Sequence, residues 1–150
     1  MKRLSKTYVA VIIIGLTIGI SACSKEKKLR NSIIGTWDVT EQFEITYDSD
    51  GFVTQTTTED DFTLNRYVFE EDGSGSVSYD DGSGTFDLEL TWVYTYNKST
   101  KAESLEIDLY GDKRTYSITK HVKNTSLDLD YDETFSGGAS IDAEYTWTKQ

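Results

Sequence analysis

The sequence predicts an all-β protein, an antiparallel up-and-down barrel of about eight or nine strands. From Trp37 onward, apolar and polar residues alternate with a period of two, which places every second side chain on one face of a sheet. Short turns rich in Asp, Asn and Gly separate these runs, and no stretch after Leu29 keeps apolar residues at helical spacing for long. Because such strands can close on themselves and remove exposed edges, a barrel is favoured over a sandwich.

The alternation defines the strands in order along the chain. In the first run, Trp37, Val39 and Phe43 are predicted to share one face. The clearest run covers residues 86–96, and the others are predicted at residues 52–58, 62–69, 76–79, 105–109, 116–122, 127–131 and 141–147. Since the connections are short, consecutive strands should pair antiparallel.

Acidic residues are concentrated in the predicted hairpin turns, at Asp48 and Asp50, at Asp72, and at Asp80 and Asp81. Asp and Gly tolerate the positive φ angles that tight turns need, whereas carboxylates also attract Ca²⁺. Asp48, Asp50 and Glu59 have the spacing of an EF-hand loop, but Val53 stands where that loop needs Gly. We therefore predict ordinary turns and no metal site.

The charge balance argues against a nucleic-acid partner. The chain has 26 acidic and 15 basic residues, a net charge of −11. Loss of Lys2, Arg3 and Lys6 with an export signal would leave 12 basic residues and a charge of −14. Binding to nucleic acid needs a basic surface that neutralises phosphates, and an acidic domain has none.

The first 22 residues have the organisation of a cleaved export signal. Basic residues precede an apolar run from Tyr8 to Ile20, which ends at the small residues Ser21 and Ala22. A membrane-spanning helix needs about 20 apolar residues, and this run is shorter. We predict a signal peptide at residues 1–22, a charged tether at 23–31 and one barrel domain at 32–150.

Cys23 is the only cysteine of the chain and follows the signal directly. A single Cys forms no internal disulfide and belongs to no multi-Cys metal site. Ile20-Ser21-Ala22-Cys23 resembles the lipobox of bacterial lipoproteins, in which the Cys is acylated and becomes the first residue. The resemblance implies a membrane partner through lipid such as palmitate on Cys23. It also implies an outer-membrane lipoprotein of Gram-negative bacteria that faces the periplasm or the cell exterior.

A second resemblance covers residues 31–149. Gly35-Thr36-Trp37 resembles the Gly-X-Trp motif on the first strand of lipocalins, and Tyr67-Val68-Phe69 and Leu127-Asp128-Leu129 are similar to strands of the lipocalin-like domain of small lipoproteins. The resemblance implies a barrel that binds a small molecule. On physical grounds, Gly35 allows a close approach of the backbone and Trp37 plugs one end of the barrel, so both are predicted to be structural.

Five aromatic residues lie on the faces assigned to the interior, Phe86, Trp92, Tyr94, Tyr145 and Trp147. Around a cavity they would bind a small apolar or ring-bearing ligand, whereas core filling explains them equally well. The leading hypothesis is therefore a ligand-binding barrel. The alternative is a filled barrel that docks an envelope or outer-membrane protein. A cavity of about 300 Å³ or more that is lined by Trp92 and its neighbours would favour the first function. A solid interior beside a contiguous exposed apolar patch would favour the second.

Catalysis has little support in the sequence. His121 is the only histidine, and it is predicted to lie on the surface of a strand. No Ser-containing elbow or paired-His metal motif is present, and carboxylate pairs arise by chance among 26 acidic residues. We predict a protein that is not an enzyme and has no cofactor.

Replacement of Cys23 by Ala tests the anchor. We expect Cys23→Ala to release the protein into a soluble fraction or to block its maturation, because stable anchoring needs the acyl chains. Fractionation of cells that express each form measures this. A variant that stays firmly membrane-bound and is normally processed would show that the lipobox interpretation is wrong.

Overall fold

A computed structural model describes residues 25–60, 64–80 and 82–150; the predicted signal peptide and Cys23 lie outside these residues. Within them, one helix, α1 at residues 25–33, precedes nine strands. The strands are β1 Gly35–Tyr47, β2 Val53–Glu59, β3 Asn65–Phe69, β4 Ser74–Asp80, β5 Thr85–Tyr96, β6 Glu103–Leu109, β7 Asp112–Val122, β8 Ser126–Thr134 and β9 Ser140–Lys149.

The strands form an antiparallel meander that closes on itself. Consecutive strands pair from β3 to β9, and β9 returns to pair with β1 along residues 37–47. The prediction that consecutive strands pair fails at β2 and β3, because each of them pairs with β1 instead. The other edge of β1 is shared, because residues 35–38 pair with β3 and residues 42–47 pair with β2. Eight strands therefore close the barrel and β2 is an extra strand, which confirms the predicted fold class.

Acidic side chains stabilise the hairpin turns from within. The Asp48 carboxylate accepts hydrogen bonds from the backbone N–H groups of Asp50 and Phe52, at 3.0 and 2.9 Å. The Asp72 carboxylate accepts the Ser74 hydroxyl at 2.6 Å and the Ser74 N–H at 2.9 Å, and these bonds lower the pKa of Asp72. These carboxylates are engaged by their own turns, which is the role of Asp in such loops.

Two β-bulges change which side chains face the interior. In β1 the register with β9 shifts between Val39 and Glu41, and in β7 the register with β8 shifts between Ile118 and Lys120. A bulge adds one residue to one strand and so reverses the alternation beyond it. The sequence places Val39 and Phe43 on one face; that prediction is wrong, because the extra residue leaves Phe43 on the outer surface, 36% exposed.

Helix α1 covers one end of the barrel, which we call the closed end. Ile33 is fully buried and Leu29, four residues earlier, packs against the same core. The Arg30 guanidinium lies 4.9 Å from the centre of the Trp92 ring, and the Lys25 ammonium lies 5.0 Å from that of Tyr96. The charged residues of this segment predict a tether. In the structure the Lys25 and Arg30 cations lie against core aromatic rings, and Leu29 and Ile33 share one face of the helix.

Trp37 is the centre of the closed end. Its side chain is fully buried, and its indole N–H donates to the carbonyl of Ile33, at 2.6 Å, which ties β1 to the end of α1. The Lys149 ammonium lies 5.2 Å above the Trp37 ring and donates to the carbonyls of Ser32 and Ile34, at 3.0 and 2.6 Å. At Gly35, with φ +126°, a Cβ atom would meet the Lys149 side chain at 3.0 Å.

Stacked aromatic rings fill the closed half of the barrel. The Trp147 ring lies 4.4 Å from Tyr67 and 6.0 Å from Phe69, and Phe69 lies 5.3 Å from Trp92. Leu105, Leu127 and Leu129 are fully buried around them. These rings and leucines pack against one another and form the hydrophobic core in this half of the barrel.

Substitution of Trp37 tests the importance of this plug. Trp37→Ala should lower the free energy of unfolding by about 3–5 kcal/mol, because it opens a large cavity and leaves the Ile33 carbonyl without its donor. Trp37→Phe keeps most of the volume and should cost less. Urea denaturation of the two variants measures both values; equal stability of Trp37→Ala and the wild type would contradict the account.

Candidate functional site

The end opposite α1 is open and contains a cavity of about 480 Å³. Four connections between strands surround this open end, and their described residues are 48–52, 82–84, 110–111 and 135–139. Side chains from seven strands, β1 to β7, and the segment before β3 line the cavity: Gln42, Glu59, Leu64, Asn65, Tyr67, Val77, Tyr79, Asp80, Leu88, Leu109 and Arg114. The interior is thus hollow in its open half and solid in its closed half.

The bulge in β1 brings one polar side chain, that of Gln42, to the cavity wall. Beyond the bulge, Gln42 pairs with Tyr145 of β9 and with Glu59 of β2, so it shares their inward face. The hydroxyl of Thr40, at the bulge, donates to the carbonyl of Thr146, at 3.0 Å. The inward face of β1 therefore changes from apolar below the bulge to polar above it.

Arg114 is the only cationic side chain among the described residues that line the cavity. It pairs with Ile107 in the β6–β7 register, which places it on the inward face, and its side chain is 45% exposed at the open end. Its guanidinium lies 5.8 Å from the centre of the Tyr131 ring and 3.3 Å from the carboxylate of Asp112, its neighbour on the same strand. Sequence analysis does not single out Arg114, although it lies two residues before Tyr116 on the same inward face.

Tyrosines separate the cavity from the solid core. Tyr67 lines the cavity and stacks on Trp147 behind it. Tyr116 lies between Trp147 and Tyr145, with ring centres 6.1 and 5.8 Å away. Burial raises the pKa of Tyr67 and of Tyr116, and burial followed by the charges of Tyr116 and Glu44 raises the pKa of Tyr145 to about 12. These hydroxyls are neutral at physiological pH.

The five aromatic residues predicted as ligand contacts occupy different levels of the barrel. Trp92 and Tyr94 lie in the closed half, where the Trp92 indole N–H donates to the carbonyls of Glu70 and Ser74. Trp147 is buried behind Tyr67, and Tyr145 packs against the core beside Tyr116. Their direct contact with a ligand stays a prediction, and none of them is among the residues that line the cavity.

Phe86 lies on the rim of the open end, 40% exposed, and stacks on the cavity residue Tyr79 with ring centres 5.4 Å apart. Each of the other three open-end hairpins also carries an exposed aromatic side chain, Phe52, Tyr110 and Phe135. The rim of the mouth is therefore partly apolar, although the turns themselves are acidic. Isolated exposed aromatics are common, but one at each of four neighbouring turns forms a defined ring.

Three polar side chains form a hydrogen-bonded group between α1 and the barrel wall. The Nε2 atom of His121 lies 2.8 Å from the Ser32 hydroxyl, and its Nδ1 atom lies 2.8 Å from the Glu103 carboxylate. The prediction of a surface histidine is wrong, since the His121 side chain is only 6% exposed. The bulge at Thr119 turns His121 inward, into register with the buried Leu127.

The order Ser–His–acid is that of a nucleophilic relay, but the surroundings of this group are structural. Ser32 is 2% exposed, and its hydroxyl donates to the carbonyl of Leu29 within α1, at 2.6 Å. A hydroxyl that is covered by its own helix offers a substrate no approach. The group therefore fastens the end of α1 to β6 and β7.

Neither a metal centre nor a spanning helix is found in the part of the chain that the structure describes. No three His, Cys, Asp or Glu side chains are grouped there as ligands of a metal ion. The helix within those residues is too short and too polar to cross a membrane.

Comparison with known proteins supports the fold and goes no further. No family model and no curated protein matches the chain. Among solved structures, lobster apocrustacyanin A1 is similar with a TM-score of 0.53 and 14% identity, over 85% of this chain and 66% of that chain. A bovine odorant-binding protein, a deswapped triple mutant, gives 0.44 and 12%, over 79% and 74%. The similarity to apocrustacyanin A1 supports a lipocalin-like fold for this chain.

The buried tyrosines predict a loss of stability at high pH. Their pKa values in the folded state lie above 10.0, the value of an unhindered tyrosine. Their contribution to the free energy of unfolding is therefore fully present below pH 10. It is lost as the pH rises through the pKa of the folded state, which is about 12 for Tyr145. Urea denaturation between about pH 9 and 12, the range in which tyrosine ionises, measures this decline.

Tyr145→Phe removes one of the titrating groups and should make the decline less steep. Tyr110→Phe, at the exposed rim, is the matched control and should leave it unchanged. A stability that stays constant up to pH 12, above the ordinary range of tyrosine ionisation, would show that these hydroxyls are not buried as described.

Proposed function

We propose that this protein is a lipid-anchored, lipocalin-like envelope protein that binds a small, mainly apolar molecule in the open half of its barrel. The cavity of about 480 Å³ carries this proposal. Ligand sites are typically concave, between about 300 and 1,000 Å³, with apolar walls and a few polar groups. The volume of this cavity lies in that range, and Val77, Leu88, Leu109 and Tyr67 give it an apolar part. The rest of its wall is polar or charged: Gln42, Glu59, Asn65, Asp80 and Arg114.

The solid half of the barrel supports the binding half. Tyr67, which lines the cavity, is held by stacking on Trp147, and Trp147 is held by the rings around it. A wall whose side chains are already ordered loses little conformational entropy when a ligand binds. The cavity floor is in this sense preorganised.

The anchor and the mouth are compatible in position. Cys23 precedes α1 by a single residue, and α1 lies across the closed end. Lipid on Cys23 would therefore hold the closed end towards the membrane and leave the open end free to exchange ligand. The lipobox resemblance supports the anchor, and the Cys23→Ala fractionation tests it.

A second candidate function is docking of an envelope protein partner. The ring of exposed aromatics, formed by Phe52, Phe86, Tyr110 and Phe135 at the rim, favours it. Native mass spectrometry of the protein extracted from its own host distinguishes the two functions. A docking module would carry a stoichiometric polypeptide and no small molecule.

Filling the cavity tests ligand binding directly. Leu88→Trp places a larger side chain in the cavity and should weaken binding of the neutral probe naphthylmethanol by about tenfold or more, which corresponds to about 1.4 kcal/mol. Val93→Trp is the matched control, because Val93 belongs to the same strand and points outward, 56% exposed. Fluorescence titration measures both affinities, and circular dichroism checks that both variants fold.

The proposal requires that the wild type and Val93→Trp bind the probe alike. Equal affinity of Leu88→Trp and Val93→Trp would place the binding site elsewhere. The absence of any binding to the wild type would favour the docking function instead.

A further inference from the structure

We propose that Arg114 makes the cavity selective for ligands that carry a carboxylate on an apolar or aromatic body. This inference rests on the proposed function, since it assigns a ligand class to the same cavity. Arg114 would bind the carboxylate, and the apolar wall around Val77 and Leu88 would hold the rest of the molecule.

Arg114 lies in the cavity wall, beside apolar and aromatic side chains. It lies on β7, and its neighbours in the cavity wall include Leu109 of β6 and Tyr67 of β3. The Arg114 side chain is 45% exposed at the mouth, and the Tyr131 ring lies against its guanidinium at 5.8 Å, so water is excluded from part of the group. This partial loss of hydration strengthens its interaction with an anion.

The partners of Arg114 within the protein use only part of its hydrogen-bonding capacity. Among the described residues, the carboxylate that contacts it is that of Asp112, through one oxygen at 3.3 Å, and Asp112 is itself 64% exposed. The hydroxyl of Tyr116 interacts with it as well, and Tyr131 lies against its face. A guanidinium has five N–H donors in a planar fork, so these partners leave donors available for a bidentate contact.

The other arginines of the described chain differ in this respect. Arg66 forms a bidentate pair with Asp38, with distances of 2.6 and 2.9 Å, on the outside of the barrel. Arg30 donates to the carbonyl of Glu71 at 2.7 Å and stacks on Trp92. Both are committed to the fold. Arg114 is the arginine whose fork faces a cavity, and a carboxylate is the group whose geometry matches that fork.

Two acidic residues also line the cavity, Glu59 and Asp80, and both lie on other walls than Arg114. Glu59 belongs to β2, which continues the line of β3 along β1, and β3 and β7 are four strands apart in the ring of eight. Asp80 ends β4 at the open rim, where water screens its charge. A ligand whose carboxylate contacts Arg114 can therefore extend its apolar part towards Val77 and Leu88 without placing its charge against Glu59.

Three probes with the same ring system test the inference on the purified protein: naphthoate, naphthylmethanol and naphthylmethylammonium. The wild type should bind naphthoate about tenfold more tightly than naphthylmethanol, because a charge-assisted bidentate contact adds to the same apolar burial. Arg114→Gln should abolish this preference and leave the affinity for naphthylmethanol nearly unchanged. Arg114→Lys keeps the charge without the fork and should retain part of the preference.

Arg66→Gln is the matched control. It changes the net charge of the protein by the same amount, outside the cavity, and should leave the preference for naphthoate intact. If Arg114→Gln weakens naphthoate and naphthylmethanol equally, or if the wild type prefers naphthylmethylammonium, the inference is overturned while the proposed function stands. If no probe binds the wild type, the proposed function fails first.

Discussion

The pairing of β1 with β9 is the constraint on which the rest of the structure depends. It closes the barrel along residues 37–47, and it contains the bulge at Thr40 that divides the interior. Below the bulge, β1 contributes Trp37 and Val39 to a solid aromatic core. Above it, β1 contributes Gln42 to the wall of a cavity. One additional residue in one strand thus determines where packing ends and where a ligand can enter.

The closed end explains how a cavity is tolerated in a small domain. Empty volume costs stability, because the side chains around it lose contacts. Here the loss is confined to the open half, while α1, the Trp37 plug and the Ser32–His121–Glu103 group tie the closed half together. The proposed binding half and the stabilising half of the barrel are therefore separate, and a substitution in one should change the other little.

The sequence predicts the architecture well and the site poorly, for a physical reason. Alternation and turn residues depend on local geometry, and they correctly predict the strands, their antiparallel order and the closed barrel. The pattern of apolar and polar residues continues unchanged through both bulges, although the faces of the strands exchange there. Phe43 and His121 are therefore assigned to the wrong faces. Arg114 shares a face with Tyr116, but a charge near a strand end is usually solvated. The helix at residues 25–33 is two turns of mainly charged residues, and only the core that it covers reveals its role.

The central claim is that a ligand occupies the open half of the barrel and leaves the closed half undisturbed. Methyl-detected NMR of the protein with naphthylmethanol tests this most directly, because methyl groups mark both halves. The account predicts intermolecular contacts from the probe to Val77, Leu88 and Leu109, and none to Leu105, Leu127 or Leu129. Contacts to the second group, or to residues on the outer surface such as Val93, would contradict it.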